Sequence, residues 1–208
     1  MLEGELPGKL AHRSLLPPER DIDLPEDFES IATPSGVLLV LFMKESKLCI
    51  ALIKRPAHMK YHPGQIGLPG GKLEPSDSNT LEAAIRETFE EVGLERGMLE
   101  ILGKLTPLYL SVTNYLIYPY IAWCSMPPEF KLNHNEAEKL MLIPLETLSI
   151  KNIRFRTLET HTGALTVPGF EASGEFVWGA TAMILSEFMW LVDNDQLFGK
   201  QIGIVSEM

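Results

Sequence analysis

The sequence predicts an α/β fold in one substantial domain, and three observations carry that reading. Apolar runs of strand length recur at 37–42, 48–53, 99–105, 116–122 and 140–143. Two longer stretches, from Asn79 to Gly93 and from Gly179 to Val192, carry helical periodicity instead. The chain is 208 residues long with no repeat at a fixed period, a size that one core accommodates. Strands interleaved with two main helices fit a sandwich in which helices cover a mixed sheet.

Residues 1–30 are rich in charge and proline (Pro7, Pro17, Pro18, Pro25) and show little periodicity. They are expected to form an extended N-terminal arm with room for one short helix, leaving residues 31–208 as a single domain. His12 and Arg13 are the notable polar residues of the arm and are expected in solvent. After the Pro34-Ser35-Gly36 turn, Val37 to Phe42 reads as a buried strand and Leu48 to Ile53 as a second, with Lys44 to Lys47 turning between them. The second strand ends in Lys54, Arg55, His58, Lys60 and His62, a dense group of potential cations in a chain of net charge −10. That contrast makes the group a candidate anion-binding site. Pro69-Gly70-Gly71 follows, a turn bare enough at two positions to approach a metal or phosphate closely.

The first long helix is well specified. Asn79 caps it, and Glu82 three residues later completes a capping box. Leu81, Ile85, Thr88 and Val92 form a stripe expected to be buried, and Gly93-Leu94 reads as a left-handed stop. Glu87, Glu90 and Glu91 fall three and four residues apart, which gathers their carboxylates on a different face. Each like-charge pair there costs about 3 kcal/mol at an effective dielectric of about 20. A hard divalent cation would relieve that cost, because Mg²⁺ takes oxygen ligands from a few carboxylates, waters and substrate phosphates.

Downstream, Leu99–Leu105 and Leu116–Ala122 have strand composition and connect through Ser111-Val112-Thr113-Asn114. Leu140–Ile143 is a further strand, and Pro144 is placed to open a short helix. Residues 151–167 suggest a hairpin broken by Pro168-Gly169. From Gly179 onward, Thr181, Ile184, Leu185, Phe188, Leu191 and Val192 share one face of a core-packing helix.

Composition excludes several classes. With 45% hydrophobic and 22% charged residues the chain is of ordinary globular type, and its acidity argues against a nucleic-acid partner. Cys49 and Cys124 sit in apolar runs as expected core thiols. MLEGELPGKL lacks the apolar core of a secretory signal, and Val37–Met43 is too short to span a membrane. Val205-Ser206-Glu207-Met208 is not the Ser-Lys-Leu peroxisomal address, so a cytoplasmic location is expected.

The block from Leu68 to Leu94 resembles the Nudix box: Gly, five residues, Glu, seven residues, Arg-Glu, an apolar residue, any residue, Glu-Glu, any residue, Gly, apolar. Gly71, Arg86, Glu87, Glu90, Glu91, Gly93 and Leu94 match it. Asp77 replaces the first Glu, the gap from Asp77 to Arg86 is one residue longer, and Thr88 takes the apolar slot. The added residue falls in the loop before the helix, where it is readily absorbed. The preceding segment LIKRPAHMKYHPGQIGLPGG is similar to the signature of the coenzyme A diphosphatase branch. Arg55, Gly64, Pro69, Gly70 and Gly71 match, while Pro56 replaces Ser, Lys60 replaces Arg and Leu68 replaces Phe. Val177-Trp178-Gly179-Ala180-Thr181-Ala182 resembles that branch's Trp-Gly-x-Thr-Ala, so the resemblance spans roughly 34–192.

The resemblance implies a Nudix-type α/β/α sandwich on a mixed β-sheet. It implies Mg²⁺ or Mn²⁺ held by Glu87, Glu90, Glu91 and the Gly71 carbonyl. It further implies hydrolysis of coenzyme A or its thioesters to 4′-phosphopantetheine, free or acylated, and adenosine 3′,5′-bisphosphate. Arg86 would orient the box through salt bridges, with Glu82 in reach of it, and Lys54, Arg55, Lys60 and His62 would hold substrate phosphates. Glu136, whose spacing to Pro144-Leu145 resembles a downstream Glu of the family, is the candidate fourth carboxylate. The base is then Glu87, Glu136 or a metal-bound hydroxide. Two other readings stand beside this one: a Nudix diphosphatase for ADP-ribose or a dinucleotide, and a nucleotide-binding domain without turnover, which would be expected to have lost one of the carboxylates. A homodimer is compatible with the superfamily.

Overall fold

A computed structural model of the chain describes residues 6–17, 31–59, 62–160 and 163–194. In chain order its elements are the helical turn α1 (Lys9–His12), strands β1 (Thr33–Lys44), β2 (Lys47–Lys54), β3 (Ile66–Gly67) and β4 (Gly70–Lys72), and helix α2 (Thr80–Val92). Then come β5 (Leu99–Lys104), β6 (Leu108–Leu110), β7 (Tyr115–Cys124) and β8 (Lys139–Pro144). Strands β9 (Arg154–Thr160), β10 (Gly163–Ala172) and β11 (Glu175–Trp178) precede helix α3 (Gly179–Asp193).

The eight-stranded main sheet runs β3-β2-β1-β7-β5, with β4 paired to β1, β6 to β7 and β8 to β2. β1 and β7 are parallel from Thr33 opposite Tyr115 to Phe42 opposite Cys124, and the other pairings are antiparallel. A parallel pair needs a long crossover, and α2 lies within it. Alternation along β1 then fills both sides of the sheet. Leu38, Val40 and Phe42 pack in one core with Ala84, Ile85 and Val92 of α2, while Leu39 and Leu41 pack in the other with Ile184, Leu185 and Phe188 of α3. That is why this stretch reads as an unbroken apolar run. α2 presses so closely on β1 that a Cβ at Gly36 would lie 1.8 Å from the Thr80 carbonyl oxygen. The architecture is the predicted mixed sheet covered by helices. Among the described residues no helix is long and apolar enough to cross a membrane.

Three expectations are corrected. α3 is not a helix with one buried face, because Ala182 through Met189 are all buried, Ser186 and Glu187 included. The cover is the N-terminal segment, whose α1 and following turn Arg13–Leu15 lie against α3, with Leu15 wholly inside the core. His12, expected in solvent, is 2% exposed there and meets Glu187. Finally, Pro168-Gly169 does not end a strand: β10 runs through both as the middle strand of a three-stranded sheet, β11-β10-β9. Its neighbours close tightly at this point, since a Cβ on Gly169 would lie 2.4 Å from the Val177 carbonyl oxygen.

Candidate functional site

The site is built where α2 faces the β4 turn. Asn79 starts the helix, its Oδ1 accepting from the amides of Leu81 and Glu82 at 2.9 and 3.1 Å. Gly93 ends it in the left-handed conformation, φ 71°. The reciprocal half of the capping box is not the ion pair that forms, because Glu82 is engaged by Arg96 Nη1 at 2.7 Å, away from Arg86. Thr88 holds its apolar slot by turning its hydroxyl back to the Ala84 carbonyl at 2.7 Å, which satisfies the polar group inside the core.

Arg86 is the organiser. Its Nε and Nη2 grip both oxygens of Asp77 at 3.1 and 3.0 Å, Nη2 also donates to the Lys72 carbonyl, and Nη1 donates to Glu87 Oε1 and Glu90 Oε2 at 3.0 Å each. One planar guanidinium thus ties the loop after β4 to two carboxylates of the helix. Asp77, which also accepts the Glu74 amide, lies below its ordinary value because of this contact with Arg86. The longer gap and shorter acid therefore still close on the arginine.

The three helix glutamates are not equivalent. Glu90 is half-exposed and paired outward to Arg86, whereas Glu87 is 21% exposed and Glu91 only 3%. Glu91 lies three residues after Thr88 and seven after Ala84, both fully buried, so the helical repeat already contained its burial. Glu91 Oε2 accepts the Gly70 amide at 3.0 Å. Glu87 rests closely on Gly71: a Cβ there would lie 2.2 Å from its Oε1 and would displace the carboxylate from this position. Burial pushes both carboxyls up, Glu87 against the pull of Arg86, and Glu91 to about 8 with Glu87 and Glu136 adding to the rise. Glu136 is exposed on the loop that docks on the end of α2 through the Asn133 amide and the Glu91 carbonyl at 2.9 Å.

The basic group is only partly gathered here. The charge of Arg55 favours ionised Glu91, and its buried Nε has no hydrogen-bond partner among the described residues. Lys54, by contrast, pairs with Glu175 Oε1 at 3.0 Å and Glu138 Oε1 at 3.6 Å. His62 bonds Gln65 through Nδ1 at 2.9 Å, and Lys60 lies outside the described residues. Sequence reasoning missed Glu175, whose partner is 121 positions away.

Among the described residues no three His, Cys, Asp or Glu side chains converge as a ready-made metal cage. Mg²⁺ and its like do not require one, since they take one or two carboxylates and complete their shell with water and substrate oxygen. The donor set present fits such an ion: all-oxygen, on Glu87 and Glu91, whose carboxyls burial pushes up despite Arg86, Arg55 and the Gly70 amide, so that a cation would favour their ionised form.

Comparison with known proteins places this geometry. The model of the NUDIX domain matches residues 32–161. An uncharacterized Nudix hydrolase, NudL of Yersinia pestis (strain Pestoides F), is 33% identical over 139 residues, covering 65% of this chain and 68% of that protein. Two solved structures share the fold: a Nudix hydrolase from M. smegmatis, RenU, at TM-score 0.53 and 14% identity over 78% of this chain and 86% of its own, and a MutT/nudix family protein from Enterococcus faecalis, at TM-score 0.53 and 17% identity over 84% and 66%.

Proposed function

The chain belongs to the Nudix family of hydrolases, which act on phosphoric anhydride bonds, and from that premise we propose that it cleaves the diphosphate link of coenzyme A or its thioesters. The products are 4′-phosphopantetheine, or its acyl form, and adenosine 3′,5′-bisphosphate. The observation that carries the reading is the pairing of two charge-starved carboxylates, Glu87 and Glu91, with an Arg55 guanidinium that has hydrogen-bonding capacity to spare. That combination suits a cation and a phosphate side by side. Coenzyme A is favoured over ADP-ribose or a dinucleotide by the resemblance of residues 52–71 and 177–182 to its diphosphatases. Leu68, one of the departures from that signature, is buried in the core.

In this reading Glu87 and Glu91 would hold the metal, with Glu90 and the Gly71 carbonyl as further oxygen donors. A bound Mg²⁺ or Mn²⁺ supplies charge neutralisation of the diphosphate and a water of lowered pKa. Arg86 touches no substrate; with Asp77 behind it, it fixes where the Glu87 oxygens point. Arg55 donates to phosphate oxygen, joined by Lys60 and His62 of the following loop, and Glu136 takes up the proton of the attacking water. The domain of residues 31–208 works in the cytoplasm as a monomer or homodimer, with α1 and the Arg13–Leu15 turn packed into its core and not standing off as an extended arm.

Mass spectrometry of products formed in water enriched in heavy oxygen tests the proposal, because it reports substrate and attacked phosphorus together. Coenzyme A should give one labelled product, dephospho-coenzyme A should react more slowly, and Arg55→Ala should shrink that difference. Equal rates for both substrates in the wild type overturn the 3′-phosphate contact, and faster turnover of ADP-ribose or a dinucleotide overturns the substrate.

A further inference from the structure

We propose that Lys54 is a positioning residue, the centre of an ion-pair clasp that sets the three-stranded sheet against the strand ends bearing Arg55 and Glu136. It does not contact the substrate. The inference rests on the active-site reading above and departs from the expectation that Lys54 holds a phosphate.

The pleat of β2 separates two neighbouring cations. Cys49, Ala51 and Ile53 pack on the α2 side of the sheet, and Ile50 and Leu52 on the α3 side. Continued by two residues, the alternation sends Arg55 to the side of Glu91 and Lys54 to the opposite one. The observed partners agree. Lys54 reaches Glu175, the first residue of β11, at 3.0 Å. Lys139 stands directly opposite Lys54 on β8 and also approaches Glu175, at 3.8 Å. Glu175 thus draws together two strands of the main sheet and the β10–β11 turn of the second sheet.

The same residue is tied to the Glu136 loop. The Lys54 carbonyl accepts the Glu138 amide at 2.8 Å, and the Lys54 ammonium lies 3.6 Å from the Glu138 carboxylate. Immediately after it, Arg55 closes the next loop on both sides, donating to the Gln65 carbonyl at 2.9 Å and accepting from the Gly64 amide at 3.1 Å. Lys54 is therefore the junction of the β10–β11 turn with two segments that carry candidate site residues, Arg55 and Glu136. Its charge is already matched: Glu175 is the largest influence holding it protonated, and Glu138 adds to it.

Direct substrate binding and a clasp predict opposite signs for one variant. If Lys54 gripped an anionic substrate, Glu175→Gln would release the lysine and lower KM. If Lys54 is a clasp, Glu175→Gln loosens the same border as Lys54→Met, and both raise KM about fivefold with kcat changed less than about twofold, a coupling of ordinary size for a partly buried pair. The conservative variant Lys54→Arg, which keeps a cation in reach of Glu175 and Glu138, should hold KM within about twofold of wild type. Rates are read with whichever phosphoric anhydride the wild type turns over fastest, so a failed coenzyme A assignment leaves the test intact. Hydrogen exchange at the Glu138 amide supplies a readout independent of turnover: it should speed up about tenfold in Lys54→Met and Glu175→Gln and stay near the wild-type rate in Lys54→Arg. A lower KM in Glu175→Gln, or unchanged exchange at Glu138 in Lys54→Met and Glu175→Gln, overturns the proposal.

Discussion

Glu91 and Glu187 are, among the described residues, the two buried glutamates, and they are opposites. Glu187, on α3, is completely enclosed and receives four contacts: the amides of Gly8 and Thr106 at 3.1 Å, the Thr106 hydroxyl at 2.6 Å and His12 Nε2 at 3.2 Å. His12 and Thr106 hold its carboxyl below its ordinary value even though burial pushes the other way. Glu91, on α2, is equally hidden but has the Gly70 amide as its hydrogen-bond donor, and its carboxyl rises to about 8. Burying a charge costs several kcal/mol unless donors replace the lost water. The fold supplies them at Glu187 and withholds them at Glu91. Burial alone therefore does not distinguish a structural acid from a functional one; the count of donors does.

The comparison predicts that the two glutamates fail differently. The largest effect is expected for Glu91→Gln, which should lower kcat by about 10²- to 10³-fold while the urea midpoint without added metal stays level or rises. Adding Mn²⁺ or Mg²⁺ should raise the wild-type midpoint and leave that of the variant nearly in place, by mass action on the folded state. An unchanged rate breaks the contrast. Next comes Glu187→Ala, which strands several donors and should cost about 3 kcal/mol by urea unfolding, with kcat of the folded enzyme within about threefold of wild type.

The acid limb sharpens the same point. A carboxyl held below its ordinary value of 4.5 contributes stability that is present above that value and is lost as the pH falls through the lower, folded one. Wild-type stability should drop on acidification through this window, and the drop should be shallower in Glu187→Gln. The smallest effect is expected for Asn79→Ala, which removes the two cap bonds of α2 and should cost about 1 kcal/mol in urea with little change in kcat.

Local chemistry was legible in the sequence, and distant pairing was not. Asn79, Gly93 and the strands around 37–53 and 116–122 emerge where expected because caps, stops and alternation act within a few residues. Arg86 and Glu87 lie side by side in the sequence, and the structure pairs them. Hidden were the partners of His12 and Lys54, which sit 175 and 121 positions away and leave no periodic trace. The Pro168-Gly169 pair misled for a related reason: it signals a turn in an isolated segment, but here β9 and β11 hold it straight from either side. Glu91 is the intermediate case, readable from its spacing to Thr88 and Ala84 yet masked by its acidic neighbours.

The bonds from Gly8 and His12 to Glu187 also bear on how the molecule is made. A ribosome adding roughly 5–20 residues each second exposes residues 8–12 many seconds before Glu187 emerges from the exit tunnel. Until then that turn lacks its anchor on α3, so during synthesis the older segment waits and the younger helix decides when the core is sealed.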